Sequence, residues 1–304
     1  MKTLLTTCAM LVFLTGTVFG QGYVFRVLAN KGTNQVKRAA GATQPLKTGA
    51  TLNAGDELIA SQGAYIGLMH KTGRTIEVRN PGTTKIVDLE KKLASSKAGV
   101  ANRYAQFVMN KMNQGDGDVN ANYRRNMKAT GAVERATSNS AIKVMLPSSI
   151  DILNPNAIVR WKGGDEGSTY IVSVKNIFDE QIFNAETQDS SIKINFDDEN
   201  LANERLVILN VKVKDNEDVK SGDYGIKRMS SEDAQSINEN LEILKAEVTD
   251  DSPLNKLIYA SFYEENGLLL DASTKYEEAI ELSPEVDDFQ ILYDDFLIKN
   301  GLSN

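Results

Sequence analysis

Few residues in this chain could carry chemistry. Among 304 residues there is one Cys and one His, Cys8 and His70. That count excludes disulfides within the chain, zinc sites built from Cys and His, and Cys–His or Ser–His–Asp catalysis that does without His70. His70 ends a strand-like segment before a turn, with no second His or Cys near it. It reads as a structural or exposed residue rather than a base or a ligand. Asp116-Gly117-Asp118-Val119-Asn120 alternates oxygen ligands as a calcium loop does. Such a loop needs Gly after the third ligand and a bidentate Glu at its end, and Ala121 and Met127 stand there, so a solvated loop is favoured. The pairs Asp197-Asp198, Asp250-Asp251, Asp287-Asp288 and Asp294-Asp295 would need a pocket that shifts their pKa values to act as acid and base. In polar turns and on helix faces they read as solvated charge.

Aromatic residues cluster near the C-terminus: Tyr259, Phe262, Tyr263, Tyr276, Phe289, Tyr293 and Phe296. At helical spacing such residues mostly build core. Any that stay exposed could line a peptide groove, and Tyr259, Tyr263, Tyr293 and Phe296 are the candidate partner-binding residues. No catalytic constellation, metal site or cofactor site is read, which points away from an enzyme.

The elements that must position these residues begin with a leader. Lys2 precedes an apolar run from Leu4 to Phe19, and small residues follow up to Gly20-Gln21. This is the pattern of a secretory signal peptide, and the run is shorter than the roughly 20 residues of a spanning helix. Cleavage after Gly20 would remove Cys8 and leave a mature chain without cysteine or transmembrane segment, exported to the periplasm or the cell surface.

Residues 21–93 read as a glycine-punctuated β unit. Tyr23, Phe25 and Val27 share one face of a first strand; Ala64, Ile66 and Leu68 share a face of another; Ile76 and Val78 follow the Lys71-Thr72-Gly73 turn. Residues 94–140 read as a linker helix, with Val100, Tyr104, Phe107, Val108 and Met112 at helical spacing, and then a polar connection rich in Gly and Asn. Residues 141–230 alternate in several short runs around Trp161 and suggest a β-sandwich. Residues 231–304 carry helical stripes, with a cap at Ser231-Glu232-Asp233, Pro253 opening a second helix and Pro284 closing a third. The expected class is mainly β with a helical C-terminus: a small β domain, a linker helix, a β-sandwich and a short helical hairpin or bundle.

Three resemblances follow from these residues. The pattern Leu46, Gly49, Leu52, Gly55, Asp56, Leu58, with the alternation through Gly73, resembles the FecR-type domain of bacterial envelope proteins. That likeness implies an exported, non-catalytic role in protein contact. The regulatory role of the membrane FecR proteins does not carry over, because the β unit directly follows the leader with no segment to touch a sigma factor. Trp161 on an early strand, with Tyr170-Ile171-Val172 after it, resembles an immunoglobulin or fibronectin type III module, with the Trp as core plug. Ala260, Tyr263, Ala272, Tyr276, Ala279 and Pro284 resemble one tetratricopeptide unit. A single such unit cannot bury its own face, so the run 289–302 and the stripe 237–244 are expected to cover it.

Charge divides the chain. Residues 21–148 hold 19 Lys/Arg and 8 Asp/Glu, a net +11; residues 149–304 hold 14 and 33, a net −19. The basic half could meet an anionic partner, or the halves could attract each other. Nucleic acid is not expected for an exported chain lacking aromatics interleaved with the basic residues. The expected function is protein–protein interaction or assembly in the bacterial envelope. The alternative is binding of an anionic cell-wall or surface glycan.

Overall fold

The computed structural model describes residues 22–93, 99–114 and 141–303. The leader with Cys8 and the Asp116–Asn120 loop lie outside the described residues. The protein is mainly β, with several antiparallel sheets and helices concentrated towards the C-terminus. None of the described helices is long and apolar enough to cross a membrane.

Eight short strands form the first unit: β1 (Phe25–Lys31), β2 (Gln35–Lys37), β3 (Thr43–Pro45), β4 (Thr51–Leu52), β5 (Glu57–Ala60), β6 (Tyr65–His70), β7 (Thr75–Val78) and β8 (Gly82–Lys85). They make two four-stranded sheets, ordered β4-β1-β6-β7 and β3-β2-β5-β8. Phe25, Val27, Leu52, Ile66 and Leu68 of one sheet meet Val36, Leu58 and Ala60 of the other. Helix α1 (Ile86–Lys92) closes this core with Ile86 and Leu89. The Gly-Asp turn has a clear physical basis. The buried Asp56 carboxylate accepts hydrogen bonds from the backbone N–H of Asn53 (2.9 Å) and Ala39 (3.2 Å) and from Arg38 Nη1 (2.8 Å). It thereby ties the β4–β5 turn to the β2–β3 turn.

Six residues of β6 are all buried, because its sheet is covered on both faces. Ile66 and Leu68 face the opposite sheet, while Tyr65 and Met69 join the helical core, as do Leu28 and Ala29 of β1 across a bulge between Val27 and Ala29. Gly67 marks a close approach: a Cβ there would lie 2.9 Å from Leu254 Cδ1, so the leucine would have to shift to admit it.

That helical layer contains α2 (Val100–Gln114), α3 (Ser231–Glu247), α4 (Pro253–Glu265), α5 (Leu269–Leu282) and α6 (Asp287–Lys299). Helix α2 is more than the expected linker. Ala101, Tyr104, Ala105, Val108, Met109 and Met112 are buried in one stripe, and Tyr104 packs edge-on against Phe262. Ser230 and Ser252 cap α3 and α4 through their hydroxyls.

The third unit is a sandwich. Its strands are β9 (Ile142–Val144), β10 (Ser149–Ile152), β11 (Asn156–Gly163), β12 (Tyr170–Lys175), β13 (Gln181–Thr187), β14 (Ser191–Asn195), β15 (Leu206–Val213), β16 (Asn216–Lys220) and β17 (Tyr224–Arg228). A sheet ordered β14-β11-β9 faces one ordered β10-β17-β15-β12-β13, with β10 parallel to β17 and β16 alongside β15. Trp161 fills the space between them at 1% exposure, edge-on to Tyr170. Strands β13 and β16 lay outside the sequence reading. Helix α5 packs on this unit through Leu270, which belongs to the sandwich core.

Candidate functional site

The aromatic residues build core, as helical spacing favours, and the four partner-binding candidates line no open groove. Tyr263, Tyr293 and Phe296 are buried, with Tyr276 stacked on Tyr293 and tilted against Phe296, and Tyr259 is half-buried with its hydroxyl bonded to the Val248 carbonyl. These rings are enclosed because α2, α6 and both β units surround the α4–α5 hairpin. Burial accordingly pushes the Tyr263 and Tyr293 hydroxyls well above their ordinary range.

His70 also stays structural. It is buried against Phe25, with Nδ1 2.8 Å from Thr72 Oγ1 and Nε2 3.4 Å from Glu90 Oε1. Burial lowers its pKa, with the Glu90 hydrogen bond opposing. The acidic pairs are dispersed: Asp197 meets Arg228, and Asp251 meets Lys256. Among the described residues no group of three or more His, Cys, Asp or Glu could hold a metal ion.

Buried polar residues instead form seams between units. On the sandwich side, the α5 carboxylate Asp271 accepts from the N–H of Leu153 (3.1 Å) and Asn154 (2.8 Å). Thr274 Oγ1 accepts from Ile158 N, and Glu277 takes both arms of the Arg160 guanidinium. On the other side, Thr75 donates to Asn255, and Arg79 reaches Ser283 and Glu285. Glu264 lies between Lys111 (2.7 Å) and Lys299 (2.8 Å) and accepts from Tyr276 (3.1 Å). Burial raises the Glu264 carboxyl, but the two lysines outweigh it and hold the group below the usual carboxylate range.

The outer surface offers two features. A shallow, polar cavity of about 320 Å³ opens between 202–205 and 228–231. At the same end of the sandwich, the β12–β13 turn exposes two large apolar side chains, Ile177 at 62% and Phe178 at 76%. The turn is fixed from within. The Asn176 side-chain oxygen accepts from Phe178 N (2.9 Å) and Glu180 N (3.1 Å), its amide donates to Glu180 Oε2 (2.8 Å), and Asp179 adopts φ +66°. Sequence reasoning passed over Ile177 and Phe178. The available signal was an Asn and an Asp flanking two apolar residues, since Asn and Asp fold turns through their own side chains and leave the residues between them outside.

No family model and no curated protein matches this chain.

Proposed function

We propose that the chain is a non-enzymatic, exported protein of the bacterial envelope that mediates protein–protein interaction or assembly. The observation that carries this reading is the preorganised display of Ile177 and Phe178. Two adjacent large apolar side chains held outward by an ordered turn give a partner an anchor whose ordering cost is already met. The FecR-like reading of residues 21–93 rests on the Leu46–Leu58 pattern, whose leucines are all buried and whose Asp56 ties two turns together. The immunoglobulin-like or fibronectin-like reading rests on Trp161 as the plug between two sheets. The tetratricopeptide-like reading rests on the small residues Ala260, Ala272 and Ala279, all buried in the α4–α5 hairpin. Retention of a defined envelope protein by the tagged mature chain, lost on Phe178→Ser, tests the proposal. No retained partner refutes it, whereas equal retention by both proteins moves the contact away from Phe178.

A second reading has one observation in its favour. Lys31, Lys47, Lys85 and Lys92 of the first unit are exposed, with no carboxylate partner among the described residues. They would suit an anionic wall or surface glycan. Such binding would weaken as salt rises, and its absence at low salt would remove this reading.

A further inference from the structure

Strand β13 is paired on one side only among the described residues, by β12. It is seven residues long, without proline or lysine, and its half-buried Ile182 and Phe183 pack against the sandwich core. Natural edges are usually blunted by short length, lysine, proline, a bulge or a covering element; of these β13 carries only a bulge at Ile182, between the pairs Val174–Phe183 and Lys175–Gln181. Its first residue directly follows the turn that presents Ile177 and Phe178. An unpaired backbone edge and an exposed apolar anchor are therefore continuous.

The geometry points to a strand-addition site: β13 and the Ile177–Phe178 tip take an extended segment of another protein that combines apolar residues with Lys or Arg. This rests on the protein-binding role proposed above and names its surface. Added strands gain affinity from main-chain hydrogen bonds and specificity from side-chain anchors. The tip is already ordered by Asn176, so docking loses little conformational freedom there.

Charge bears on the occupant. Asp179, Glu180, Glu186 and Asp189 flank the strand. Lys175 and Lys214 already pair with Asp179 and Glu186, which leaves Glu180 and Asp189 as the flanking carboxylates without a cation among the described residues. A second copy is the obvious rival: the two central registers disfavour it, those centred on Ile182 or Ala185 oppose no like charges, and the test below separates the two occupants. Twofold antiparallel pairing must place one residue on the axis, because paired residues alternate between two hydrogen-bonding types. With Phe183 on the axis, Glu180 faces Glu186 twice. With Asn184 on the axis, Asp179 faces Asp189 twice. Like charges directly opposite are destabilising, whereas Lys or Arg on an incoming strand meets complementary charge.

The test uses the full mature chain as bait for a displayed random dodecapeptide library. Enriched sequences are expected to combine apolar residues with Lys or Arg, and a synthetic peptide of the enriched pattern is the probe. Phe178→Ser should weaken that peptide by about tenfold or more. Asp189→Lys should weaken it too and flatten its salt dependence. Neighbouring residues point their N–H groups to opposite sides of a strand. Of Asn184→Pro and Ala185→Pro, the variant that keeps the wild-type melting temperature therefore removes only an outward donor, and it should abolish binding. Unchanged melting of Phe178→Ser assigns its loss to the site rather than to folding. The inference is overturned by no enrichment, or by peptide binding that survives both Phe178→Ser and the tolerated proline. A concentration-dependent dimer that the same proline dissolves also overturns it, in favour of a second copy. An envelope partner retained equally by these variants would sink this site while leaving the wider protein-binding role intact.

Discussion

Gly67 is the sharpest test of whether the first β unit and the helical layer behave as one body. In Gly67→Ala the new Cβ would lie 2.9, 3.1 and 3.3 Å from Cδ1, Cδ2 and Cγ of Leu254, whose side chain is fully buried. Overpacking a closed core costs about 1–3 kcal/mol, and replacing a strand glycine by alanine returns about 0.5–1 kcal/mol. The net expectation is a loss of about 1–2 kcal/mol. Leu254→Ala alone leaves a cavity and should cost about 2–5 kcal/mol. In the double variant the methyl added at position 67 enters space that Leu254 vacated, so the two losses should fall short of their sum by about 1 kcal/mol or more. Urea unfolding provides the assay, followed by far-ultraviolet circular dichroism and by fluorescence of Trp161, the only Trp, which sits in the sandwich rather than beside Gly67. One transition seen by both probes, shifted by Gly67→Ala, is expected. Losses that add to within about 0.5 kcal/mol would refute the contact, and a Trp161 transition that ignores Gly67→Ala would refute the single body.

Other expectations follow from buried polar groups. Burial lowers the His70 pKa, so the unfolded chain takes up its proton more readily than the native protein. Stability should therefore fall as pH drops through about 6.5 towards the folded value. The melting-temperature gap between wild type and His70→Asn should then shrink from pH 7.5 to 5.5, and a gap independent of pH would exclude the mechanism. Glu264→Leu leaves Lys111 nearly enclosed without its carboxylate and should cost about 3–5 kcal/mol by denaturant titration, with part regained on adding Lys111→Met; no recovery would contradict a charge-burial origin. Asp271→Ala strands the backbone donors of Leu153 and Asn154 and should cost about 2–4 kcal/mol, with faster amide hydrogen exchange at both residues. Unchanged exchange there would count against the seam.

Local patterning made the fold class legible, and long-range coverage hid most of the rest. Ala64, Ile66 and Leu68 announce one face of β6. The other face, Tyr65, Gly67 and Met69, looks neutral because the helix covering it lies far along the sequence. A strand buried on both faces reads as a continuous run rather than an alternation, with Gly67 as its one local hint. Helix α2 was legible from its period, but Val100 and Phe107 are only half-buried while Ala101, Ala105 and Met109 face the core. Small residues are weak markers of a buried stripe, so the helix looked like a linker. Strand β13 was missed because Ile182 and Phe183 are adjacent and break the alternation. The enclosure of the aromatic candidates was hidden for a related reason: helical spacing shows that Tyr263, Tyr293 and Phe296 share faces, not that other units enclose them.

The charge asymmetry takes a different meaning once the halves are seen in contact. Arg79–Glu285, Arg103–Glu265 and Lys111–Glu264 each join the basic half to the acidic one. The Glu247 carboxylate of α3 accepts from Ala101 N and so caps the start of α2. Part of the opposition between +11 and −19 is thus satisfied inside the molecule. Of these pairs only Lys111–Glu264 is well shielded from water, so only it should resist salt, while exposed pairs contribute little. The α4–α5 hairpin is consequently not the start of an open concave array. Its two sides are occupied, by Gly67 and Thr75 of the first unit and by Ile158 and Arg160 of the sandwich. A hairpin enclosed in this way cannot offer the groove that tetratricopeptide arrays use. The proposed partner recognition then falls to surfaces the helical layer leaves uncovered, and among the described residues the largest apolar exposures, Ile177 and Phe178, stand at the turn that joins β12 to the open edge of the sandwich.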